Sequence, residues 1–486
     1  MADDLRKKTA KGLLWNSIHQ FGMQGIQFCL MLVMARILSP SDYGILGLYS
    51  VFFALASIFI YCGFTEALIR KQDRTQTDMS TVFFFNVGMS VICYIIIFII
   101  APFVADFYKM PIITNLMRVA GLSVIFNALM AIHGAVMNIT LNFKTQAKIS
   151  LTHSLVAGIA GLIFALCGLG VWSLILQGIV QSICGIILFW TLSKWRPTWE
   201  FSTKSVKEFW DYGSKLIVTG LINTIYNNIY PIVIGKSFSA ATLGHYSRAH
   251  HWASFPSTNL TNMLKTVSFA SLVKIQDDDI RLERVYRKMI RTSAFIIIPA
   301  MAGLSAIAKP LIYVVIGEKW ALCASILQVI CFTYMLAPIH SLNLNLLKVK
   351  GRTDLTLRIS IVQKVLAIIA LIIALPYGIL AMCYAGIITS FLMLFMNTYY
   401  TGKFINVGFI RQMRDILPSF VLSMIMMAIV FLIQSVIPNI YLNLIVSIII
   451  GIAFYYGFSV LFKFEELEDA KTIIHDMIQR KKNKKI

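Results

Sequence analysis

Apolar runs of about 20 residues recur from one end of this 486-residue chain to the other. A helix of about 20 residues spans roughly 30 Å, which is the thickness of the hydrocarbon core of a bilayer. Only 13% of the residues are charged and 58% are hydrophobic, and no connector is long enough for a soluble domain. The sequence therefore predicts an all-α polytopic membrane protein. Thirteen runs are plain: 12–34, 43–63, 80–105, 112–137, 147–168, 171–193, 209–235, 283–308, 320–347, 353–375, 377–402, 410–436 and 439–462.

Residues 241–266 form a stretch of suitable length that is much more polar than the rest. It contains Arg248 together with histidines, a tryptophan and asparagines. An arginine near the middle of a bilayer costs roughly 2.5 to 3.5 kcal/mol on insertion scales, so such groups normally face a protein interior or a wet cavity. If this stretch crosses the membrane, it is a fourteenth span and a candidate wall of a transport path.

The placement of Lys and Arg indicates that it does cross. With fourteen spans and a cytoplasmic N-terminus, 36 of the 43 Lys and Arg fall on the cytoplasmic side, as the positive-inside rule requires. Without this crossing every later loop would change sides. We therefore expect about 14 transmembrane helices with both termini in the cytoplasm. The net charge of +21 then reflects topology, with anionic membrane lipids as the expected contact and no nucleic acid partner.

The chain also resembles itself. Three blocks match, near Arg36, Ala67 and Ile149, at offsets of 200, 204 and 210 residues. The glycine and Gln-Asp matches carry the most weight in so apolar a chain. They pair Gly44 with Gly244, Gly168 with Gly378 and Gln72-Asp73 with Gln276-Asp277.

Six spans separate the two copies, so both copies have the same orientation in the membrane. This predicts two six-helix lobes in parallel pseudo-repeat around a central cavity, with two extra C-terminal helices. We place the N-terminal lobe at 1–200 (spans 1–6) and the C-terminal lobe at 201–403 (spans 7–12). The appended spans 13–14 occupy 404–463, and a basic amphipathic cytoplasmic tail occupies 464–486.

The polar span supplies most of the candidate substrate-binding residues. His245, Arg248, Trp252 and Asn259 follow one another at helical spacing and form one stripe. Arg118, near the same end of span four, would offer a second cation from the other lobe. Guanidinium groups bind phosphate or diphosphate through forked donors. The alternative for both arginines is hydrogen bonding to backbone carbonyls at a helix interface.

Five more polar residues complete the set of cavity candidates. The asparagines of span seven fit either sugar hydroxyls or interhelical hydrogen bonds. The lysines lie a turn or two inside the cytoplasmic ends of their spans, where snorkelling to the headgroups is the default. These residues are His251, Asn223, Asn227, Lys215 and Lys364.

Other chemistry is not visible in the sequence. No Asp or Glu lies in mid-span, so a carboxylate ion relay is not indicated, and there is no GxxxxGK[ST] phosphate loop. The eight cysteines are single, and His250 and His251 lack the i, i+4 spacing of a helical metal pair. We expect no metal, no cofactor and no enzymatic activity.

Ten short motifs follow one another along most of the chain. They are Lys11-Gly12 with Trp15; Ala35 to Pro40 with Tyr43-Gly44; Gly63-Phe64 with Ala67-Leu68-Ile69; Asn142-Phe143-Lys144; Gly170 to Leu174; Trp195-Arg196-Pro197; Ile234-Gly235-Lys236; Leu243-Gly244 with Tyr246 and Arg248; Gly317 to Trp320; and Gly351 to Asp354. In this order they resemble the polysaccharide transporters of the multidrug, oligosaccharidyl-lipid and polysaccharide exporter superfamily, nearest to Wzx-type flippases of the colanic-acid and lipopolysaccharide class. One departure is Phe269-Ala270, where that family usually has Phe-Pro.

The resemblance implies a function and a location. Such proteins move an undecaprenyl-diphosphate-linked oligosaccharide across the bacterial inner membrane for O-antigen, capsule or exopolysaccharide synthesis, with polysaccharide polymerase machinery as a further partner. We expect alternating access, in which Arg248 and Arg118 hold the diphosphate while Trp252 and the span-seven asparagines meet sugars.

Two alternatives remain open. A multidrug or small-solute antiporter of the same fold predicts an acidic residue within a lobe. A membrane polysaccharide polymerase or ligase predicts a large outer loop with catalytic carboxylates.

Overall fold

The computed structural model describes residues 2–61 and 63–468, and within them the backbone is helical with no strand. The chain packs into two compact units, Met1–Gly244 and His245–Ile486. This confirms the all-α membrane fold class.

The first unit contains nine complete helices and the beginning of a tenth. They are α1 (Ala2–Ile37), α2 (Pro40–Tyr61), α3 (Phe64–Arg70), α4 (Gln76–Tyr108), α5 (Ile112–Ile139), α6 (Phe143–Leu166), α7 (Val171–Leu192), α8 (Thr203–Asn227), α9 (Ile229–Ser237) and α10 (Ala240–Val273).

Up to Leu461 the second unit contains the rest of α10 and eight further α-helices. They are α11 (Asp279–Ala306), α12 (Ala308–Val315), α13 (Ala321–Met335), α14 (Ala337–Val349), α15 (Thr353–Ala374), α16 (Ile379–Ile405), α17 (Phe409–Val436) and α18 (Ile440–Leu461).

The predicted spans coincide with these helices. Eleven described segments are long and apolar enough to cross a membrane, and the bent pair α8 and α9, which meet at 41°, would make twelve. Helices α1 and α10 are not among them, although they are 36 and 34 residues long. The total of about 14 crossings therefore stays a prediction.

The two copies of the internal repeat share local backbone features. The α5–α6 turn has Leu141 at φ 55°, and the α14–α15 turn has Gly351 at φ 72°, 210 positions later. Likewise Gly168 has φ 79° and Gly378 has φ 94°. Positive φ is uncommon except for glycine, so its recurrence at matched positions supports the duplication.

The units defined by packing differ from the lobes defined by the repeat. Helices α8 and α9 follow residue 200, yet they pack against α2, α3 and α4 in the first unit. The lobe boundary at residue 200 stays a prediction about the repeat, and the boundary between the compact units lies at Gly244. Most of the predicted amphipathic tail, 469–486, lies outside the described residues.

An aromatic cluster joins α3, α4 and α8 in the first unit. Its buried members include Phe64, Leu68, Phe83 and Phe209, together with Trp195 from the segment after α7. Because burying a large aromatic side chain contributes on the order of 2–3 kcal/mol, this cluster holds α8 firmly against α3.

Candidate functional site

The polar stretch is one continuous helix. Helix α10 runs for 34 residues with Pro256 inside it, a length of about 50 Å at 1.5 Å per residue. It is therefore long enough to cross a bilayer. It continues through Phe269 to Val273, where Ala270 stands in place of the proline that is usual in the family.

The first turn of α10 packs backbone against backbone on the first turn of α2. A Cβ added to Gly44 would lie 1.6 Å from the carbonyl oxygen of Ala240, and one added to Gly244 would lie 1.8 Å from that of Pro40. The repeat pairs Gly44 with Gly244 and Pro40 with Ala240, so the contact is reciprocal. Only glycine fits at either position.

The same two turns are capped in the same way. Ser39 Oγ and the Ser39 amide donate to Asp42 Oδ2 at 2.7 and 2.8 Å. The Asp42 amide donates in return to Ser39 Oγ at 3.3 Å, and in the second copy the Thr242 amide donates to Ser239 Oγ in the same way at 3.2 Å. Side-chain caps of this kind hold the first turn of a helix in place, so α10 starts from a fixed base.

Trp320 packs against His245, the first residue of the predicted stripe. The His245 ring lies edge-on to Trp320, with ring centres 5.5 Å apart, and Trp320 is fully buried. Trp320 thus packs inside the second unit. Arg248, one turn further along α10, is half-buried.

Tyr334 of α13 anchors the middle of α10, which the sequence did not predict. Its hydroxyl lies 2.6 Å from His250 Nε2, and its carbonyl oxygen accepts from Ser257 Oγ at 2.8 Å. A tyrosine in the middle of a span was the available signal, because a buried hydroxyl needs a hydrogen-bond partner.

The polar residues of α10 differ in their exposure. Trp252 is only 9% exposed, and Asn259 donates to the carbonyl oxygen of Phe255 in its own helix at 2.8 Å. His251 is exposed. The structure thus groups a half-buried cation and an exposed histidine on α10 beside a buried indole.

The predicted residues of the first unit lie on two helices. Arg118 on α5 places its guanidinium 4.2 Å from the ring centre of Phe98 on α4, a cation–π contact. The other three lie on α8. Lys215 lies 3.6 Å from Asp211 one turn earlier, and both side chains are largely exposed. Asn223 and Asn227, two and three turns after Lys215, are also exposed.

Lys364 belongs to the second unit, where it lies half-buried on α15. Its role, like those of the other candidates, stays a prediction.

The second unit also contains an apolar cavity of about 510 Å³ between α11, α17 and α18. Its wall includes Pro299, Gly303, Met426, Gly451 and Tyr455. A cavity of this mainly apolar composition suits a hydrocarbon chain better than a sugar.

Buried carboxylates lie at helix starts and are paired. Asp78 accepts from Ser205 Oγ at 2.6 Å and lies 3.1 Å from Lys71 Nζ. Asp415 accepts two hydrogen bonds from Arg287, at 2.7 and 2.8 Å. Among residues 2–61 and 63–468 no group of three or more His, Cys, Asp or Glu is arranged to hold a metal ion.

Comparison with known proteins gives consistent matches. A family model described as "Polysaccharide biosynthesis protein" matches residues 33–325. The lipopolysaccharide biosynthesis protein WzxC of Escherichia coli is 26% identical over 379 residues, covering 76% of this chain and 75% of that protein. The teichuronic acid biosynthesis protein TuaB of Bacillus subtilis is 24% identical over 354 residues, covering 72% and 73%.

A solved structure shows the same fold. The lipid II flippase MurJ in an inward closed conformation superimposes with a TM-score of 0.76 at 19% identity, covering 94% of this chain and all of that one. At this identity the likeness concerns the fold alone.

Proposed function

The chain belongs to the family of polysaccharide biosynthesis proteins whose model covers residues 33–325, and from this membership we propose that it is a lipid-linked oligosaccharide flippase. It moves an undecaprenyl-diphosphate-linked oligosaccharide across the bacterial inner membrane by alternating access. Its relatives are named for the synthesis of surface polysaccharides, and the fold is that of a flippase for another lipid-linked saccharide.

Arg248 is the observation that carries the proposal. It is half-buried on a helix too polar to face lipid, beside the exposed His251. A cation in this setting suits the diphosphate of the substrate, which Arg can bind through two parallel hydrogen bonds. Arg118, on the other predicted lobe, supplies a second positive charge.

The apolar cavity between α11, α17 and α18 supports a substrate with a hydrocarbon tail. Two of these helices are the appended spans 13 and 14, which have no counterpart in the repeat. We assign them to the lipid portion of the substrate. We place both termini in the cytoplasm from the loop charges, with polymerase machinery as the partner that receives the flipped substrate.

The alternatives have less support. An antiporter that exchanges protons or sodium needs a carboxylate able to bind the ion, and the buried Asp78 and Asp415 are already paired with Lys71 and Arg287. Connections between the described helices are short, which leaves no place for the catalytic domain of a polymerase or ligase.

Translocation of a fluorescent undecaprenyl-diphosphate oligosaccharide in liposomes tests the proposal. We expect Arg248→Ala to lower the rate about tenfold or more, because a charge-assisted hydrogen bond is worth roughly 1.5–3 kcal/mol. Arg248→Lys should retain part of the rate. Lys207→Gln is the matched control, because Lys207 is exposed at the start of α8 and is not one of the cavity candidates.

The thermal unfolding midpoint of each variant shows whether the fold survives. If Arg248→Ala translocates at the wild-type rate, the cationic site is wrong. If the wild-type protein leaves the lipid in its original leaflet, the function itself is wrong, and chemical change of the lipid would indicate an enzyme.

A further inference from the structure

A second cavity lies in the first unit, at the ends of its membrane helices. It has a volume of about 740 Å³ and is bounded by the α5–α6 turn, the end of α7 and the segment that follows α7. Its wall includes Trp15, Leu141, Lys144, Leu192, Lys194 and Trp195. The loop charges place it on the face that we predict to be cytoplasmic.

Two lysines at this cavity have no carboxylate partner among the side chains that the structure describes. Neither Lys144 nor Lys194 lies within 4.0 Å of a carboxylate in the described part of the chain, and no Asp or Glu lines the cavity. Elsewhere in this unit Lys71 is paired with both Asp78 and Glu208. Two unpaired cations at one cavity give it a positive potential.

Neighbouring donors are already used, so the lysines are the available cationic groups. Arg196, beside the cavity, donates to the carbonyl oxygens of Ser193 and Trp195, both at 2.7 Å. The Thr145 amide at the start of α6 donates to Asn142 Oδ1 at 3.4 Å. The site therefore depends on mobile ammonium groups and not on the helix terminus.

Besides the lysines, the wall combines apolar and aromatic residues with the polar Thr140, Asn142, Thr145 and Ser193. Lys144 Nζ lies 5.8 Å from the ring centre of Trp15, and Trp195 is almost wholly buried behind the opening. Leu141 and Leu192 add aliphatic surface. Indole rings next to cations are typical of the level at which lipid headgroups meet acyl chains, whereas a soluble anion would gain nothing from the apolar part.

We propose that this cavity binds the headgroup of an anionic phospholipid, with Lys144 and Lys194 on its phosphate and Trp15 beside its glycerol. Basic pockets between membrane helices on the cytoplasmic side are known to take such headgroups. The volume accommodates one headgroup with the first carbons of its chains. The proposal does not rest on the flippase function, because a chain that failed to transport would still bind this lipid.

Native mass spectrometry of the full-length protein in detergent tests the site. Phosphatidylglycerol is titrated against phosphatidylcholine with the same acyl chains, and the dissociation constant of the first bound lipid is measured. We expect the double variant Lys144→Gln and Lys194→Gln to weaken phosphatidylglycerol binding about tenfold, because each lysine near an anionic headgroup adds to the binding free energy. Binding of phosphatidylcholine should not change.

The matched control is Lys204→Gln with Lys207→Gln, which removes the same charge from exposed positions at the start of α8. It should leave phosphatidylglycerol binding within twofold of wild type. All variants are first shown to be monodisperse, so a folding defect is recognised.

Two results would overturn the proposal. One is equal loss in the control and cavity variants, which would mean that net charge alone attracts the lipid. The other is displacement of phosphatidylglycerol by millimolar inorganic phosphate, which would make the cavity a site for a soluble phosphate.

Discussion

Helix α2 and its continuation α3 make contact at both ends with later parts of the first unit, but by opposite means. At the Pro40 end, the first turns of α2 and α10 touch through their backbones at Gly44 and Gly244. At the other end, α3 meets α8 through aromatic rings and charges.

The Pro40 end has no room for any side chain at its two glycines. A Cβ at Gly44 would lie 1.6 Å from a carbonyl oxygen, and one at Gly244 would lie 1.8 Å from another. The contact between the two glycine turns depends on shape, so salt and pH should have little effect on it.

The α3–α8 end has adjustable contacts. Lys71 Nζ lies 2.9 Å from Glu208 and 3.1 Å from Asp78. The Arg70 guanidinium lies 4.7 Å from the ring centre of Tyr212. Long side chains and ion pairs can break one at a time, since each is worth only about 1 kcal/mol.

The difference suggests a division of labour in alternating access. A contact that depends on shape either forms or does not, which suits a tight closure at the predicted outer end. At the predicted cytoplasmic end, the charged contacts around the aromatic cluster can break one at a time, so this end can adjust in small steps. The predictions below test this distinction, from the largest expected effect to the smallest.

Gly44→Ala should have the largest effect. The new methyl group would overlap the Ala240 carbonyl oxygen, and overpacking against backbone costs about 1–3 kcal/mol or more. We expect at least a tenfold loss of translocation and a lower unfolding midpoint. Gly244→Ala should give the same phenotype, because the contact is reciprocal.

Gly134→Ala in α5 is the control for this pair. A Cβ there meets no atom within 4 Å, so the variant should gain the usual helix preference of alanine and keep its activity. If Gly44→Ala behaves like Gly134→Ala in both assays, the backbone contact is not what closes this end.

Lys71→Gln should have the next largest effect, at the other end. It removes two ion pairs and leaves Asp78, whose side chain is 4% exposed, without its cation. Because Ser205 and Thr75 still donate to Asp78, we expect a loss of about 1–2 kcal/mol in the free energy of unfolding. Chemical denaturation in detergent measures it, with Lys204→Gln as the charge-matched control.

If Lys71→Gln loses no more unfolding free energy than Lys204→Gln, the ion pairs contribute nothing to the α3–α8 contact. The comparison between the two ends would then rest on the aromatic cluster alone.

The fold was largely predictable because run length and bilayer thickness determine helix length. The predicted spans 171–193 and 410–436 became Val171–Leu192 and Phe409–Val436. The short helices α3 and α12 and the break between α8 and α9 were missed. They depend on packing between distant segments, which hydropathy does not report.

The site was predictable only in part. Helical spacing placed His245, Arg248 and Trp252 on one helix, but their exposure depends on Trp320 and Tyr334, which lie far along the chain. Glycine matches in the repeat marked Gly44 and Gly244 as special. Only the folded chain shows that the two turns touch each other.

Gly213→Ala on α8 should have a small effect. Its Cβ would lie 3.1 Å from the carbonyl carbon of Gly63, which requires a shift of a few tenths of an ångström. This cost is opposed by the gain of about 1 kcal/mol when alanine replaces a helical glycine. We expect a net change below about 1 kcal/mol in unfolding free energy; a loss as large as that of Gly44→Ala would show that both ends are equally rigid.

Glu208→Gln should have the smallest effect, because Glu208 is half-exposed and Lys71 keeps its pair with Asp78. We expect a loss of no more than about 0.5 kcal/mol in the free energy of unfolding, which should shrink further in high salt as the pair is screened.

The same pair predicts how the effect of Glu208→Gln depends on pH. The pKa of Lys71 is raised, first by its hydrogen bond to Glu208. Stabilisation from a raised lysine pKa is fully present below the ordinary lysine value and is lost only as the pH rises through the higher folded value. The difference between wild type and Glu208→Gln should therefore be the same at pH 6.5 and pH 9, and should disappear only in more alkaline solution. Denaturation curves at both pH values and at two salt concentrations measure it, and a difference that is independent of salt would show that the α3–α8 end, like the glycine contact, is held by shape and not by charge.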